Sequence, residues 1–233
     1  MIDAIRHIEV FSPETFGGHQ VDIVGVGATG SRIALSLAKL GLSNIHVWDF
    51  DHVEPHNVAN QAFGNHQVGK LKVEALQELV KEQTGTEIAV HAERVNGTQR
   101  LGSVVFLLTD TMASRQEIWK AGIRYKPHVK LLIETRMGKN SGRIYAVNPS
   151  SPAHVKGWEA TLYSDDVAEK SACGTSISVG PTAEVVSGLA VWQLIRWHQA
   201  QLQLKEGKKP ADEMENELVF SLQPMMVFGA SFK

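Results

Sequence analysis

Residues 21–32 read VDIVGVGATGSR: a short apolar run, three glycines, and the opening of a helical pattern. Gly25, Gly27 and Gly30 stand in the G-x-G-x-x-G spacing, directly after a strand-like segment and directly before Arg32 to Lys39, where Ile33, Leu37 and then Leu40 fall on one stripe closed by Gly41. Glycine permits a tight turn and lets the backbone approach a phosphate closely, while the unpaired N–H groups and dipole of the following helix favour an anion. The spacing in this context predicts a bound nucleotide. Asp49 lies 19 residues beyond Gly30, at the end of the strand-like NIHVW, where a carboxylate accepts hydrogen bonds from ribose hydroxyls. NAD and ATP suit that position equally. Without a ligand, the glycines are strand-to-helix punctuation and Asp49 is a turn cap.

Outward from this loop, apolar runs of strand length alternate with helical patterns, the signature of a parallel sheet wound by crossover helices. Strands are expected at Val21 to Val24, Ile45 to Trp48, Ile88 to Val90, Val104 to Leu108, Leu131 to Glu134 and Arg143 to Val147, and a further helix at Lys70 to Glu82 with Val73, Leu76 and Val80 inward. Asn148 to Gly174, rich in Ser, Pro and Gly, is expected to be a long loop, with residues near Trp158 contributing to partner choice. A helix opens at Pro181, with Val185, Leu189, Trp192 and Ile195 or Arg196 at helical spacing, and Glu217 to Phe228 forms one or two strands. The fold class is therefore α/β: a Rossmann-like nucleotide-binding sheet with flanking helices, its C-terminal strands extending the sheet. Residues 1–233 are expected to form a single domain with a crossover loop at about 148–180.

The 233 residues are 43% hydrophobic and 21% charged, an ordinary globular composition. Lys and Arg number 23 against 25 Asp and Glu, which argues against a broadly basic nucleic-acid binder. Cys173 is the only cysteine, so the chain alone builds neither an internal disulfide nor a four-thiolate zinc site, and a reducing, cytoplasmic setting is expected. No run approaches the 18 or so apolar residues of a membrane span. Trp48, Trp119, Trp158, Trp192 and Trp197 are read as packing residues.

Beyond Asp49 the sequence continues WDFDHVEPHNVANQAFGNHQVGKLKVEAL. This stretch resembles the ThiF/MoeB family of ubiquitin-activating-enzyme-like adenylyltransferases, whose pattern runs approximately Asp-x-Asp-x-Val-x-x-x-Asn-x-x-Arg-Gln and then Gly-x-x-Lys. Asp49, Asp51, Val53, Asn57, Gln61, Gly69 and Lys72 fall on it in register, and the resemblance spans about Val21 to Trp197. It implies attack by the C-terminal carboxylate of a small ubiquitin-like or sulfur-carrier protein on the α-phosphate of ATP. Two anions must then be brought together, so cations and N–H donors are needed around the phosphates.

By the same resemblance, Lys72, Asn57 and Gln61 serve the phosphates, and Asp110, at the end of SVVFLLTD, associates with magnesium. Asp110 also suits the N-cap of the helix that follows. Arg115 reaches the nucleotide or a partner, or makes a surface salt bridge. Cys173 precedes Pro181 by eight residues and matches the family's crossover cysteine, which receives an acyl group or handles sulfur in some members; a plain loop filler is the other reading. A homodimer is implied, and neither zinc, nucleic acid nor membrane is expected.

One position departs from the pattern. Asn60 stands where the family carries arginine among the residues facing the nucleotide, a neutral dipole in place of a forked cation. Lys70, Arg32 and Arg6 are the candidates to supply the missing charge. His52 and His56, among Asp51 and Glu54, are assigned to the nucleotide-side loop rather than to a metal. Two other readings stay open: an NAD(P)-dependent oxidoreductase on the same glycine loop, and a non-catalytic relative that keeps only nucleotide or partner binding.

Overall fold

The computed structural model describes residues 2–167, 178–211 and 213–233. An opening helical turn, α1 (Pro13–Phe16), leads into β1 (Val21–Val24), α2 (Ala28–Lys39) and β2 (Ile45–Trp48). Then come α3 (Lys72–Thr84), β3 (Ala89–His91), β4 (Val104–Leu107) and α4 (Met112–Ile118), which runs on through a π-helical turn at Trp119–Ile123. β5 (Leu131–Met137), β6 (Ser141–Val147), α5 (Pro152–Glu159), α6 (Gly180–Lys205), β7 (Glu217–Leu222) and β8 (Met225–Ala230) complete the order.

All eight strands belong to one sheet, ordered β3-β2-β1-β4-β5-β6-β7-β8. The first five pair in parallel, and β6, β7 and β8 add to the edge antiparallel. Sequence order reverses between β1 and β4, so the loops after these strands open into a crevice, where parallel sheets of this kind bind ligands. The C-terminal strands extend the sheet as expected.

Buried strands send alternate side chains to opposite faces. Val21, Ile23, Val104, Phe106, Leu131 and Ile133 join α2, α3 and α6 in one core, whereas Val24, Val105, Leu107 and Leu132 meet Ile118, Trp119 and Trp158 in the other. At roughly 25 cal/mol per Å2 of apolar surface, burying each large side chain contributes about 1.5–3 kcal/mol, so both layers are cores in their own right.

Three sequence expectations change. The described part of the span 148–174, up to residue 167, is no continuous loop: Ser151 accepts a hydrogen bond from the His154 N–H, Pro152 opens α5, and a short 3-10 turn follows at Asp165–Val167. Of the tryptophans read as packing residues, Trp158 is fully buried against Trp119, with ring centroids 4.5 Å apart, but Trp192 is exposed. On α6 the inward stripe is Val186, Ala190, Leu194 and Trp197 instead, leaving Val185 37% and Trp192 51% exposed. Among the described residues no helix is long and apolar enough to cross a membrane.

Candidate functional site

The glycine loop joins β1 to α2 under close steric limits. Gly25 has φ +100°, and a Cβ there would lie 2.7 Å from the Leu108 carbonyl oxygen; one on Gly30 would lie 2.0 Å from the Gly25 oxygen. A Cβ on Gly27 would meet nothing within 4 Å, so the loop is tight behind and open in front. Asp49 is tied to it: one carboxylate oxygen accepts from the Val26 N–H at 2.7 Å and the other from the Asp51 N–H at 2.9 Å. Burial pushes this carboxyl above its ordinary range, against the pull of those two N–H bonds and the Lys72 charge.

Serine and arginine in the first turns of α2 lace it to the loop at 57–62. Ser31 donates to the Gly27 carbonyl at 2.8 Å and accepts from the Ala62 N–H at 3.1 Å. Arg32 donates from one nitrogen to the carbonyls of Ala28 and Asn60, at 3.0 and 2.6 Å. Asn57 is buried, and its side-chain oxygen accepts from the Glu54 N–H at 2.9 Å. Among the described residues the Asn60 Oδ1 and Gln61 Oε1 atoms have no hydrogen-bond partner although they are shielded from solvent, so each could accept from a ligand's N–H or O–H. Lys72 opens α3 and extends its ammonium to Asp51 at 2.9 Å.

Gly25, Gly27, Asp49, Asp51, Asn57, Asn60, Gln61 and Lys72 line one cleft of about 1780 Å3, which also takes in Asp110, Thr111, Arg115, Arg136, Tyr145 and Tyr163. Gly25, Gly27, Asp49, Asp51, Asn57, Asn60, Gln61, Lys72 and Asp110 are thus brought together, and Gly30 packs directly behind the loop. Cys173 lies outside the described residues. Thr111, not Asp110, caps α4 by accepting from the Ser114 N–H at 3.3 Å, while Asp110 stays exposed at the cleft. Asp165 accepts from the Met112 and Ala113 N–H groups at 2.5 and 3.1 Å, fastening its segment to the start of α4.

Of the candidate cations, Arg32 contacts Asn60 directly. Lys70 pairs with Glu78 at 2.6 Å, and Arg6 is exposed near the chain start. His56 pairs with Glu54 at 3.3 Å, and the described residues contain no group of three or more His, Cys, Asp or Glu arranged for a metal.

Sequence reasoning missed a buried charge row beneath the cleft floor. Glu134, wholly buried on β5, pairs with Arg115 and with Arg136, the latter at 3.1 Å, and accepts from the Trp158 indole N–H at 3.2 Å. Arg115 is 8% exposed, so the surface salt bridge considered for it is not what forms. Arg136 also donates to the Thr161 carbonyl at 2.7 Å and lies over the Tyr145 ring, 4.5 Å from its centroid. The signal in the sequence was a glutamate and an arginine two apart on an apolar strand, LLIETRM, since charges inside a strand buried on both faces need partners.

A doubly wound sheet with a glycine cradle at its switch point defines a nucleotide-binding α/β domain. The chain belongs to the ThiF family, whose profile matches residues 14–225. It is 26% identical over 184 residues to the sulfur carrier protein ThiS adenylyltransferase of Escherichia coli K12, covering 76% of this chain and 71% of that one. It is 23% identical over 201 residues to ubiquitin-like modifier-activating enzyme 5 of Caenorhabditis briggsae, covering 76% and 45%. The fold is shared with E. coli MccB crystallised with ATP, at TM-score 0.66 and 14% identity, covering 94% of this chain and 66% of that one. The chain therefore spans less than half of the modifier-activating enzyme and about two thirds of MccB.

Proposed function

We propose that this chain is an adenylyltransferase that activates the C-terminal carboxylate of a protein or peptide as an acyl adenylate. The observation that carries the reading is the single cleft that runs from the glycine loop to the antiparallel floor at Tyr145, with room for a nucleotide and a chain end side by side. A carboxylate oxygen attacks the α-phosphorus, the new acyl–O–P bond forms, and the α–β bridging P–O bond breaks to release pyrophosphate. The open front of Gly27 suits phosphate oxygens, Asn60 and Gln61 bring to the same cleft amide oxygens that can accept from a ligand's N–H or O–H groups, and Lys72 supplies a nearby cation.

Asp110 is the residue to hold magnesium: an exposed carboxylate at the cleft, joined by phosphate oxygens and water, is the usual way proteins bind this ion with ATP. Bound there, magnesium would neutralise phosphate charge. Arg32, gripping the Asn60 carbonyl, is the nearest substitute for the arginine that position 60 lacks. The names of the ThiS adenylyltransferase and modifier-activating relatives support a ubiquitin-like or sulfur-carrier substrate. A short peptide is the variant suggested by MccB, crystallised also with MccA. A single-domain organisation, a homodimer, a cytoplasmic setting and an acyl- or sulfur-handling Cys173 belong to the same reading; the exposed Val185 and Trp192 support the dimer.

Titration calorimetry with Mg-ATP, NAD and NADP tests the site, and pyrophosphate exchange into ATP with candidate carrier proteins tests the reaction. Nicotinamide binding without ATP binding would replace this reading by an oxidoreductase. A second reading, a non-catalytic relative, is favoured by Asn60 and predicts Mg-ATP binding without exchange.

A further inference from the structure

Glu134 is wholly buried yet faces two guanidiniums, and of these Arg115 reaches toward the nucleotide half of the cleft. Besides its ion pair with Glu134, Arg115 donates through Nε and Nη2 to one acceptor, the Thr109 carbonyl, at 2.8 and 2.5 Å. Thr109 immediately precedes Asp110. The carbonyl so gripped belongs to the peptide unit that carries the Asp110 amide, so the guanidinium fixes the plane from which the Asp110 side chain departs. A second hold comes from Ser114, whose hydroxyl donates to Thr109 Oγ1 at 2.7 Å.

We propose that Arg115, anchored by Glu134, is a positioning residue that sets the direction of the Asp110 carboxylate for magnesium-nucleotide. The inference rests on the Mg-ATP reading given above. Asp110 is exposed and lies three residues beyond the end of β4, where its rotamer alone would leave it free to sweep several orientations. Magnesium demands near-octahedral geometry and short bonds, so it responds sharply to a ligand held a fraction of an ångström or a few degrees off line. Residues that orient a ligand in this way typically influence metal affinity without touching the metal. Arg115 contributes a planar fork fixed at both ends; a lysine there would keep the charge and lose the two-nitrogen grip.

The test is calorimetric titration of the full chain with ATP, with and without magnesium, for the unaltered protein, Arg115→Lys, Asp110→Asn and the double variant. Arg115→Lys is expected to weaken Mg-ATP binding by about tenfold while leaving magnesium-free ATP binding within about twofold. In the Asp110→Asn background the same substitution should add nothing, because the carboxylate through which it acts is gone. Equal losses with and without magnesium, or losses that add in the double variant, would overturn the inference while leaving nucleotide binding intact. Absence of Mg-ATP binding by the unaltered chain would overturn both the inference and the reading beneath it. Should Arg115→Lys fail to fold, Glu134→Gln preserves side-chain shape and an acceptor for the Trp158 N–H, and should reproduce the selective loss of magnesium-linked affinity. Unchanged magnesium linkage in that variant would likewise overturn the proposal.

Discussion

The Lys72 ammonium lies 2.9 Å from the Asp51 carboxylate, the lysine side chain 10% exposed and the aspartate 52%. The pair thus holds a largely buried cation at the cleft while its counter-ion stays partly in water. A phosphate arriving there meets a charge already in place, so little side-chain ordering remains to oppose binding. Lys72→Met, which keeps the aliphatic stem, is expected to lower Mg-ATP affinity by about tenfold, one charge-assisted hydrogen bond of about 1.5 kcal/mol. Calorimetry checks the affinity, and a thermal melt within a few degrees of the unaltered protein would establish that the fold survives.

Gly30 and Gly27 should behave differently on substitution by alanine. A Cβ at Gly30 would sit 2.0 Å from the Gly25 carbonyl oxygen, in backbone that cannot move without shifting the loop, whereas at Gly27 it meets nothing within 4 Å. Gly30→Ala is expected to cost about 1–3 kcal/mol of stability and to abolish nucleotide binding together with it. For Gly27→Ala the expectation is a stability change below about 1 kcal/mol, with weaker nucleotide affinity because the methyl occupies the open front. Urea denaturation paired with calorimetry separates the two outcomes.

Acid should destabilise the protein through its histidines. His19, His91, His154 and His198 all have lowered pKa values, with burial the largest cause in each. His198 packs against Phe11 and Phe16, and its Nε2 lies 2.9 Å from the Thr15 hydroxyl. Below the ordinary value of 6.5 the unfolded chain binds protons that the folded chain refuses, so stability falls as pH drops through 6.5 and levels off below the folded-state values. The melting temperature should therefore decline between about pH 7.5 and pH 5.5. His198→Gln should flatten that slope; an unchanged slope would show that this histidine does not contribute.

Trp192, 51% exposed on α6, stands on the same outward stripe as Val185 and the partly buried Leu189. Trp192→Asp is expected to convert the proposed dimer to monomer in sedimentation velocity without lowering Mg-ATP affinity per chain. A dimer that survives the substitution would place the subunit contact elsewhere.

The parallel half of the fold was legible because its signals are local: apolar runs, a glycine spacing and a capped helix follow one another in order. Val21–Val24 and Ile45–Trp48 form the expected strands residue for residue. The start of α5 had a local signal too, Ser151 followed by Pro152, outweighed by the polar composition around it. For α6 the error was of another kind. Two apolar stripes run along that helix, Val185 with Trp192 and Val186 with Leu194, and periodicity cannot say which meets the sheet. Within the site, the glycine loop and Asp49 could be read from spacing and Lys72 from the family resemblance alone; for Glu134 the sequence signalled a need for partners but not which, because Arg115, Glu134 and Trp158 lie on three elements brought together only by the sheet and its covering layer.

The change from parallel to antiparallel pairing at β6 divides the molecule by how freely it can vary. Substitutions in β1, β4 or β5 are felt by helices on both faces, since each of these strands is covered twice. In the β7–β8 hairpin, closed by a two-residue turn, β7 sends Phe220 into the core, whereas β8 is the edge strand and every one of its residues is exposed. Variation can therefore accumulate in β8 with little effect on the packing that holds the glycine loop, which is braced from the opposite half of the sheet.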